Sequence, residues 1–343
     1  MGTGVTETVF KAPELPIELV SSMGSTVRSK EEHFHHEEHR INAKVANHNK
    51  IITSLMAGST AGAVAKTVIA PLDRTKIYFQ TSNSRFSFYE ALRFLVHTFH
   101  KEGFLALWRG NSATMARIVP YAAVQYMAHE QYKILLQTDK TRKHLPPGRR
   151  FLAGSLAGVS SVACTYPLDM VRARMAVTVR EKYHNLKEIF WKIYKEEGIR
   201  TLYRGFTPTI LGSIPYSGTS FFTYESLKKM HAEYNKGKDP SPMERLCFGA
   251  TAGLLGQSAS YPLDIIRRRM QTAGVTGHAN DYTSIIGTAT RVIRDEGFIR
   301  GMYKGLSMNW IKGPIAVGLS FTTFDITVRW LRSFEFFHID DES

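Results

Sequence analysis

Cysteine is nearly absent from this 343-residue chain, which carries only Cys164 and Cys247, both inside apolar runs. Two cannot build the disulfide framework of a small secreted domain, so they read as small hydrophobes packed in helices. Acid is scarce beside base: 30 Asp and Glu stand against 44 Lys and Arg, a formal net charge of +14. Such an excess implies an anionic partner, and nucleic acid, an acidic lipid surface or a charged small molecule would each satisfy it. Catalytic signatures are missing as well. There is no Gly-x-x-x-x-Gly-Lys-Ser/Thr loop, Rossmann fingerprint, nucleophile elbow or zinc signature, which argues against an enzyme and against a resident cofactor or metal. Mean hydropathy is low too, at −0.20, a value that looks too polar for a membrane protein until segments are read one by one.

Present instead is one phrase written three times. Residues 71–80 read Pro-Leu-Asp-Arg-Thr-Lys-Ile-Tyr-Phe-Gln, and the counterparts occupy 167–176 and 262–271. Each copy closes an apolar stretch with a proline, sets an acid two places on and a base three places after that: Asp73/Lys76, Asp169/Arg172 and Asp264/Arg267. A Gly-x-x-x-Gly begins thirteen residues ahead of each proline, at Gly58/Gly62, Gly154/Gly158 and Gly249/Gly253. Two motifs locked in spacing at a period of 95 to 96 residues make an internal repeat.

In chain order, residues 1–48 mix acid and base without an apolar period and read as a mobile polar tail. The tail has neither the apolar core of a secretory signal nor the acid-poor, Arg-rich character of a transit peptide. Residues 1–6 match the loose myristoylation pattern at Gly2, a short match of a kind that arises often. His35 and His39 would share a helix face among Glu31, Glu32, Glu37 and Glu38, yet the His-Glu-x-x-His order is absent, and the cluster reads as a solvated charge run. From residue 51 the texture changes. Segment 51–70 has Lys66 as its one charge, 111–128 only Arg117 and 306–324 only Lys312, while 151–168, 206–224 and 246–263 have none. Each is close to the roughly 20 residues that cross a bilayer core, and each is rich in the small residues that let helix backbones approach. The fold expected is all-α, with six transmembrane helices, two per repeat.

Between the members of each pair lies a charged amphipathic segment, 86–102, 184–197 and 282–296, read as a short helix on a membrane face. Phe88, Leu92, Leu95, Val96 and Phe99 carry the helical spacing in the first. Each segment ends in a second repeated phrase: Glu102-Gly103 before Trp108-Arg109-Gly110, Glu197-Gly198 before Tyr203-Arg204-Gly205, and Glu296-Gly297 before Tyr303-Lys304-Gly305. The last copy has one extra residue, so its turn should differ. Aromatic and cationic side chains suit the interface, and the free N–H groups of helices starting at Gly110, Gly205 and Gly305 suit a lipid phosphate.

Three copies of Pro-x-Asp-x-x-Lys/Arg, each followed by Glu-Gly and aromatic-Lys/Arg-Gly, resemble the signature of the mitochondrial carrier family over roughly residues 50–335. The resemblance implies six tilted helices in threefold pseudosymmetry, repeats over 49–142, 143–238 and 239–335, and a C-terminal tail over 336–343. It implies a monomeric alternating-access carrier of the mitochondrial inner membrane, with both termini toward the intermembrane space and cardiolipin as a lipid partner. Ala-Pro-Leu-Asp-Arg-Thr-Lys at 70–76 and Ser-Ala-Ser-Tyr-Pro-Leu-Asp at 258–264 are similar to the branch that moves nucleotides and coenzyme A. By that analogy Asp73 pairs with Arg172, Asp169 with Arg267 and Asp264 with Lys76 in a matrix-side ring. Gln80 and Gln271 brace it, and Ala176 leaves one brace missing. Exposed pairs are worth only about 0–1 kcal/mol, so substrate binding can break the ring. The opposite gate would use Glu130/Lys133, Glu225/Lys228 and Asp325, with Glu130 meeting Lys228 and Asp325 meeting Lys133. Val328 stands where the third base belongs, so this outer gate should be the weaker one, and the empty carrier should be open on the intermembrane-space side.

The substrate site follows from the repeat. Arg117, Gly212 and Lys312 each lie thirteen residues before Glu130, Glu225 and Asp325, about 20 Å deep at 1.5 Å per residue. With Lys66 they give three cations at mid-depth and no acid, an arrangement costly in a membrane unless an anion visits. Arg offers a fork and Lys a point charge to phosphates. Gly212-Ser213 leaves room for something flat, with Tyr216 one turn on as a stacking partner. The resemblance implies that Arg117, Gly212/Ser213 and Lys312 contact the substrate and that a glycine there accompanies an adenine; an adenosine carrying phosphates fits both arguments, so coenzyme A, dephospho-coenzyme A and adenine nucleotides such as adenosine 3′,5′-diphosphate or ADP are the expected solutes. Arg174 and Arg269 read as facing lipid or loop. An ADP/ATP-type or ATP-Mg/phosphate exchanger is the alternative, the latter usually preceded by calcium-binding loops that residues 1–50 lack. A nucleic-acid-binding helical repeat would have a shorter period and no near-uncharged runs.

Overall fold

The computed structural model describes residue 49 and residues 52–137, 146–178, 185–235, 237–278 and 281–334. The polar tail with Gly2 and its histidine run, and the C-terminal tail, lie outside the described residues. Every regular element among the described residues is helical. The first repeat supplies α1 (Ile52–Thr81), α2 (Phe88–Glu102) and α3 (Asn111–Leu136). The second supplies α4 (Pro147–Val177), α5 (Leu186–Glu197) and α6 (Phe206–Tyr234). The third adds α7 (Pro242–Thr272), α8 (Ile285–Glu296), a short α9 (Phe298–Met302) and α10 (Leu306–Arg332).

The long helices run from 26 residues in α3 to 31 in α4 and α7, roughly 40–45 Å, enough to cross a core of about 30 Å with tilt. Two of them, Ile52–Thr81 and Gly148–Val177, also contain an apolar window of mean hydropathy 1.3, of which only 28% is buried. A soluble core helix would hide far more of it. Val68, Val119, Phe151 and Phe222 are among many large apolar side chains left exposed, which is the surface of a protein whose solvent is lipid. Cys164 and Cys247 belong to that outer surface: both are exposed, not packed as their apolar surroundings imply.

The chain divides into two compact units, Gly58–Phe324 and a smaller one from its two ends, Met1–Ala57 with Asp325–Ser343. In the smaller unit Thr53 donates from Oγ1 to the Asn49 carbonyl at 2.7 Å, and the Trp330 and Phe334 rings meet edge to face. In the larger unit α3 packs along α4, and α6 along α7. Its apolar cores sit where the last turns of a proline-bearing helix meet the next short helix. Met170, Val171 and Met175 pack with Ile189, Ile193 and Leu202, and Tyr261, Ile265 and Met270 with Tyr282, Val292 and Met302.

The short helices start two or three residues later than their apolar periods predict, because extended Ser87, Asn185 and Ser284 stand at their N-caps. In α2 the buried positions are Ala91 and Thr98, while Phe88, Leu92, Val96 and Phe99 point outward, as an interfacial helix requires. The extra residue of the third repeat has its effect: 3₁₀ turns follow Gly103 and Gly198, but α9 follows Gly297. Gly205 is needed twice over at the start of α6. Its φ is +90°, and a Cβ there would lie 2.9 Å from the Tyr166 hydroxyl and 3.1 Å from the Arg267 carbonyl oxygen. By contrast, a Cβ at Gly58, Gly62, Gly158, Gly249 or Gly253 would meet nothing within 4 Å. Five of the six repeated Gly-x-x-x-Gly positions are therefore not close helix contacts in this structure, and the sixth, Gly154, would only just reach His129 of α3, at 4.0 Å. The close approach is at Gly256, where a Cβ would meet Ser220 Oγ at 2.0 Å and the Tyr216 carbonyl at 2.8 Å.

Three arginines tie the repeats together. Arg174 and Arg269 are fully buried, not directed at lipid or loop. Arg174 grips Glu197, the acid of its own Glu-Gly phrase, and its Nε donates to the Gln271 carbonyl of the third repeat at 3.1 Å. Arg269 grips Glu296 and donates to the Gln80 carbonyl of the first at 3.0 Å. Arg74 reaches Glu102 at 3.2 Å and donates to the Ala176 carbonyl of the second at 3.3 Å. The circle closes although Arg74 lies one helical turn earlier in its repeat than the other two, because its longer reach lands on the same acceptor position. Arg269→Ala should leave buried Glu296 with Lys304 as its remaining cation and the Gln80 carbonyl without its donor, at a cost of about 1–3 kcal/mol. A clear fall in the thermal unfolding midpoint of the detergent-solubilised protein checks this, and an unchanged midpoint contradicts it.

Candidate functional site

Proline at 71, 167 and 262 sits inside a helix, where it withholds one N–H from the carbonyl four residues back. At Pro71 that carbonyl belongs to Thr67, and the Trp108 indole N–H donates to it at 2.7 Å. Just past each proline the acids and bases of neighbouring repeats meet. Lys76 Nζ donates to Asp264 Oδ2 at 2.7 Å and Arg172 to Asp73 Oδ2 at 2.7 Å, and Arg267 is paired with Asp169. These are the three pairings that the resemblance implies. They are less exposed than expected: side-chain exposure is 3% for Asp169, 11% for Asp73 and 24% for Asp264. A modest net strength then comes from desolvation offsetting the Coulomb attraction, not from screening by water.

Two further cations join the ring. Lys312 Nζ donates to Asp73 Oδ1 at 2.6 Å, and Arg117 to Asp169 Oδ1 at 2.9 Å. This corrects the reading of Arg117 and Lys312 as cations with no acid among them. Each is the mid-depth cation of one repeat, and its side chain is long enough to reach the ring aspartate of the next. The symmetry breaks at the third aspartate. Gly212 holds the equivalent position and has no side chain, and a cavity of about 220 Å³ lies there, lined by Gly212, Ser213, Tyr216, Gln257, Asp264 and Arg267 among others. Lys66 has no ion pair among the described residues, yet it feels the charges of Asp73, Lys312, Arg172 and Arg117. It is exposed.

The glutamine braces have partners that the sequence reading missed. Gln80 Nε2 donates to Asp264 at 3.0 Å and to the Tyr261 hydroxyl at 3.2 Å, and Gln271 Nε2 to Asp169 at 2.8 Å and to Tyr166 at 3.0 Å. Tyr261 donates onward to the Lys304 carbonyl at 2.7 Å and Tyr166 to that of Arg204 at 3.2 Å. A signal was present, since the residue before the motif proline is Tyr in the second and third repeats and Ala70 in the first. The repeat interface that lacks a brace, at Ala176, also lacks the tyrosine. Arg268 was missed too. Buried beside the ring, it donates to Gln271 Oε1 at 2.9 Å and lies 3.7 Å from Asp169.

At the other end of the larger unit no such ring is present among the described residues. Lys133 pairs at 2.7 Å with Glu130 of its own helix instead of crossing to another, and no ion pair joins Glu225 or Lys228 among the described residues. The i,i+3 spacing puts acid and base on one helix face, so an intrahelical contact takes over where the helix ends are apart. Asp325 belongs to the other unit. The bases of the aromatic-base-Gly phrases turn inward to the next repeat and do not point out at the interface. Arg109 donates to the Met175 carbonyl at 3.1 Å, Arg204 to that of Tyr282 at 2.6 Å and Lys304 to that of Ser82 at 3.0 Å. Burial pushes the Lys304 ammonium below its ordinary pKa, against the opposing pull of Glu296. Gly110 and Gly205 abut the carbonyls of Arg172 and Arg267, while Gly305 opens on a cavity of about 730 Å³ that Arg85, Arg300 and Lys304 also line.

Six helices of membrane-spanning length, a ring of ion pairs among three repeats and a cavity beside it are the architecture of a membrane carrier. The sequence profile of the Mitochondrial carrier protein family matches three times, over residues 47–140, 143–235 and 238–335. Similar proteins include the mitochondrial coenzyme A transporter SLC25A42 of Xenopus tropicalis, 62% identical over 291 residues that cover 84% of this chain and 88% of the relative. The human protein of the same name is 59% identical over 288 residues, covering 83% and 90%. Human solute carrier family 25 member 16 is 39% identical over 306 residues, covering 84% and 89%. The chain belongs to the mitochondrial carrier family, and it is a transporter, not an enzyme.

Removing a brace should loosen the ring without dissolving it. Gln80→Ala and Gln271→Ala each strip hydrogen bonds from a buried aspartate and its tyrosine, a loss of about 1–3 kcal/mol read as a lower unfolding midpoint. Equal midpoints for both variants and the parent protein would show that the glutamines bear no load.

Proposed function

We propose that this carrier exchanges coenzyme A and dephospho-coenzyme A for adenine nucleotides, such as adenosine 3′,5′-diphosphate or ADP, across the mitochondrial inner membrane. The observation that carries the reading is the set of residues next to the ring. Lys66, Arg117 and Lys312 supply positive charge, and the one equivalent position without a side chain, Gly212, opens a pocket beside Ser213 and Tyr216. Phosphates suit the first set and a flat ring suits the second. The printed names of the relatives at 59–62% identity, coenzyme A transporters, support the same solute.

The ring acts as the matrix gate and is coupled to binding. A phosphate arriving at mid-depth competes with Asp73 for Lys312 and with Asp169 for Arg117. Each aspartate thereby loses one of its cations, and the substrate's preference for the open ring sets how far the equilibrium moves. The empty protein, with Glu130, Lys133, Glu225, Lys228 and Asp325 forming the outer gate, rests open toward the intermembrane space, where both termini lie. It works as a monomer. Cardiolipin binds at the helix starts marked by Gly110, Gly205 and Gly305, of which Gly305, with its neighbouring Arg85, Arg300 and Lys304, offers the roomiest site.

Uptake into liposomes preloaded with coenzyme A, adenosine 3′,5′-diphosphate, ADP or phosphate tests the solute assignment. Fast exchange confined to the adenosine-containing anions is expected, and equal uptake of neutral or cationic solutes refutes it. Lys312→Ala and Arg117→Ala should reduce exchange to the level of protein-free liposomes while the protein still inserts and keeps its helical content. Wild-type rates in either variant remove the site. In a background without Cys164 and Cys247, Ser213→Cys in the empty carrier should be labelled by an impermeant thiol reagent from the intermembrane-space side. Labelling from the matrix side alone reverses the assigned resting state.

A further inference from the structure

We propose that the side-chain amide of Gln257 reads the hydrogen-bonding edge of an adenine base held beside Gly212, which makes Gln257 a specificity-determining residue. The inference rests on the transport reading above and adds to it the group that selects the base.

Four observations converge on Gln257. It lines the same 220 Å³ cavity as Gly212, Ser213 and Tyr216. At roughly 30 Å³ per water that cavity holds about seven waters, room for one planar ring system and too little for a whole nucleotide, since pockets that take complete ligands run to about 300–1,000 Å³. Next, Gly256 brings α7 against the backbone of α6 at Tyr216, so the two helices that carry Gln257 and Tyr216 approach closely at this level, where both residues line the cavity. Tyr216 itself is 43% exposed and has no aromatic partner among the described residues, which leaves a face for stacking. Third, the Gln257 amide makes no hydrogen bond among the described residues. It is not sealed in the core either, since its atoms are absent from the buried unpartnered groups that include the Asn309 amide.

The fourth observation is register. Gln257 lies seven residues before Asp264, as Lys66 lies seven before Asp73 and Val162 seven before Asp169. At one depth the three repeats thus present an ammonium, an apolar group and a carboxamide. The ammonium suits phosphate. Only the carboxamide offers a donor and an acceptor side by side, the complement of adenine, whose N6 amine stands next to a ring nitrogen acceptor. Guanine presents two acceptors, O6 and N7, on one edge and the donors N1–H and N2–H on the other, so a carboxylate suits it better than an amide does.

The test compares ADP with GDP, both for uptake into coenzyme A-loaded liposomes and for thermal stabilisation of the detergent-solubilised protein. The parent protein should prefer ADP in both. Gln257→Glu should shift the ratio toward GDP by about tenfold, the size of one good base contact, and Gln257→Leu should bring the ratio close to unity with weaker binding of both. Unliganded unfolding midpoints within a few degrees of the parent show that the variants fold, and the leucine variant decides the matter if the glutamate does not fold. An unchanged ADP to GDP ratio in the folded variants overturns the role of Gln257 and leaves the transport reading standing. A parent protein that ADP stabilises but that moves no coenzyme A refutes the transport reading, and the binding ratio alone then judges Gln257.

Discussion

Three aspartates, each held by a base from a neighbouring repeat, are the constraint on which the larger unit depends. Proline halts the regular helix ladder just ahead of each one, and the chain beyond carries the cross-repeat arginine contacts and the apolar cores. Order is thus concentrated on one side of the aspartates. On the other side no ring of charges joins the helices among the described residues, and five of the six motif glycines meet no neighbour.

Charge is distributed just as unevenly. Asp73, Asp169 and Asp264 face Lys76, Arg172 and Arg267 in the ring, with Arg117, Lys312, Arg268 and Lys66 in addition. Bases outnumber acids in a place poor in water, and in the empty protein some of the surplus is absorbed by letting one carboxylate serve two cations. That sharing links the mid-depth level to the ring. It does so at two aspartates and not at the third, where glycine replaces the long cation, so the threefold chemistry is broken at the point where a neutral part of a ligand would need space.

The architecture was legible because repetition exposes it: three copies of proline, acid and base at fixed spacing state the helices and their order, while the pairing partners came from the family resemblance. The short helices were legible too, to within the few residues that their N-caps decide. Less was legible where a long side chain chooses among targets. Arg174 and Arg269 looked peripheral because their partners, Glu197 and Glu296, lie more than twenty residues on, and their carbonyl acceptors belong to another repeat. Arg117 and Lys312 were placed at the right depth but without their carboxylates, since spacing along one helix says nothing of how far a guanidinium stretches toward the next. The tyrosine supports were readable in hindsight, because Tyr166 and Tyr261 are present where a brace exists and Ala70 stands where it does not.

The idle glycines at 58, 62, 158, 249 and 253 bear on the energetics of the proposed cycle. Along these seams two helices could draw together with no side chain to fold away and no rotamer to freeze, so the entropic toll of sealing that end would be small. In the proposed cycle these seams would serve as a smooth track for the second arrangement. Two arrangements separated by so little resistance can lie close in free energy, and a solute binding with modest preference is then sufficient to tip one into the other.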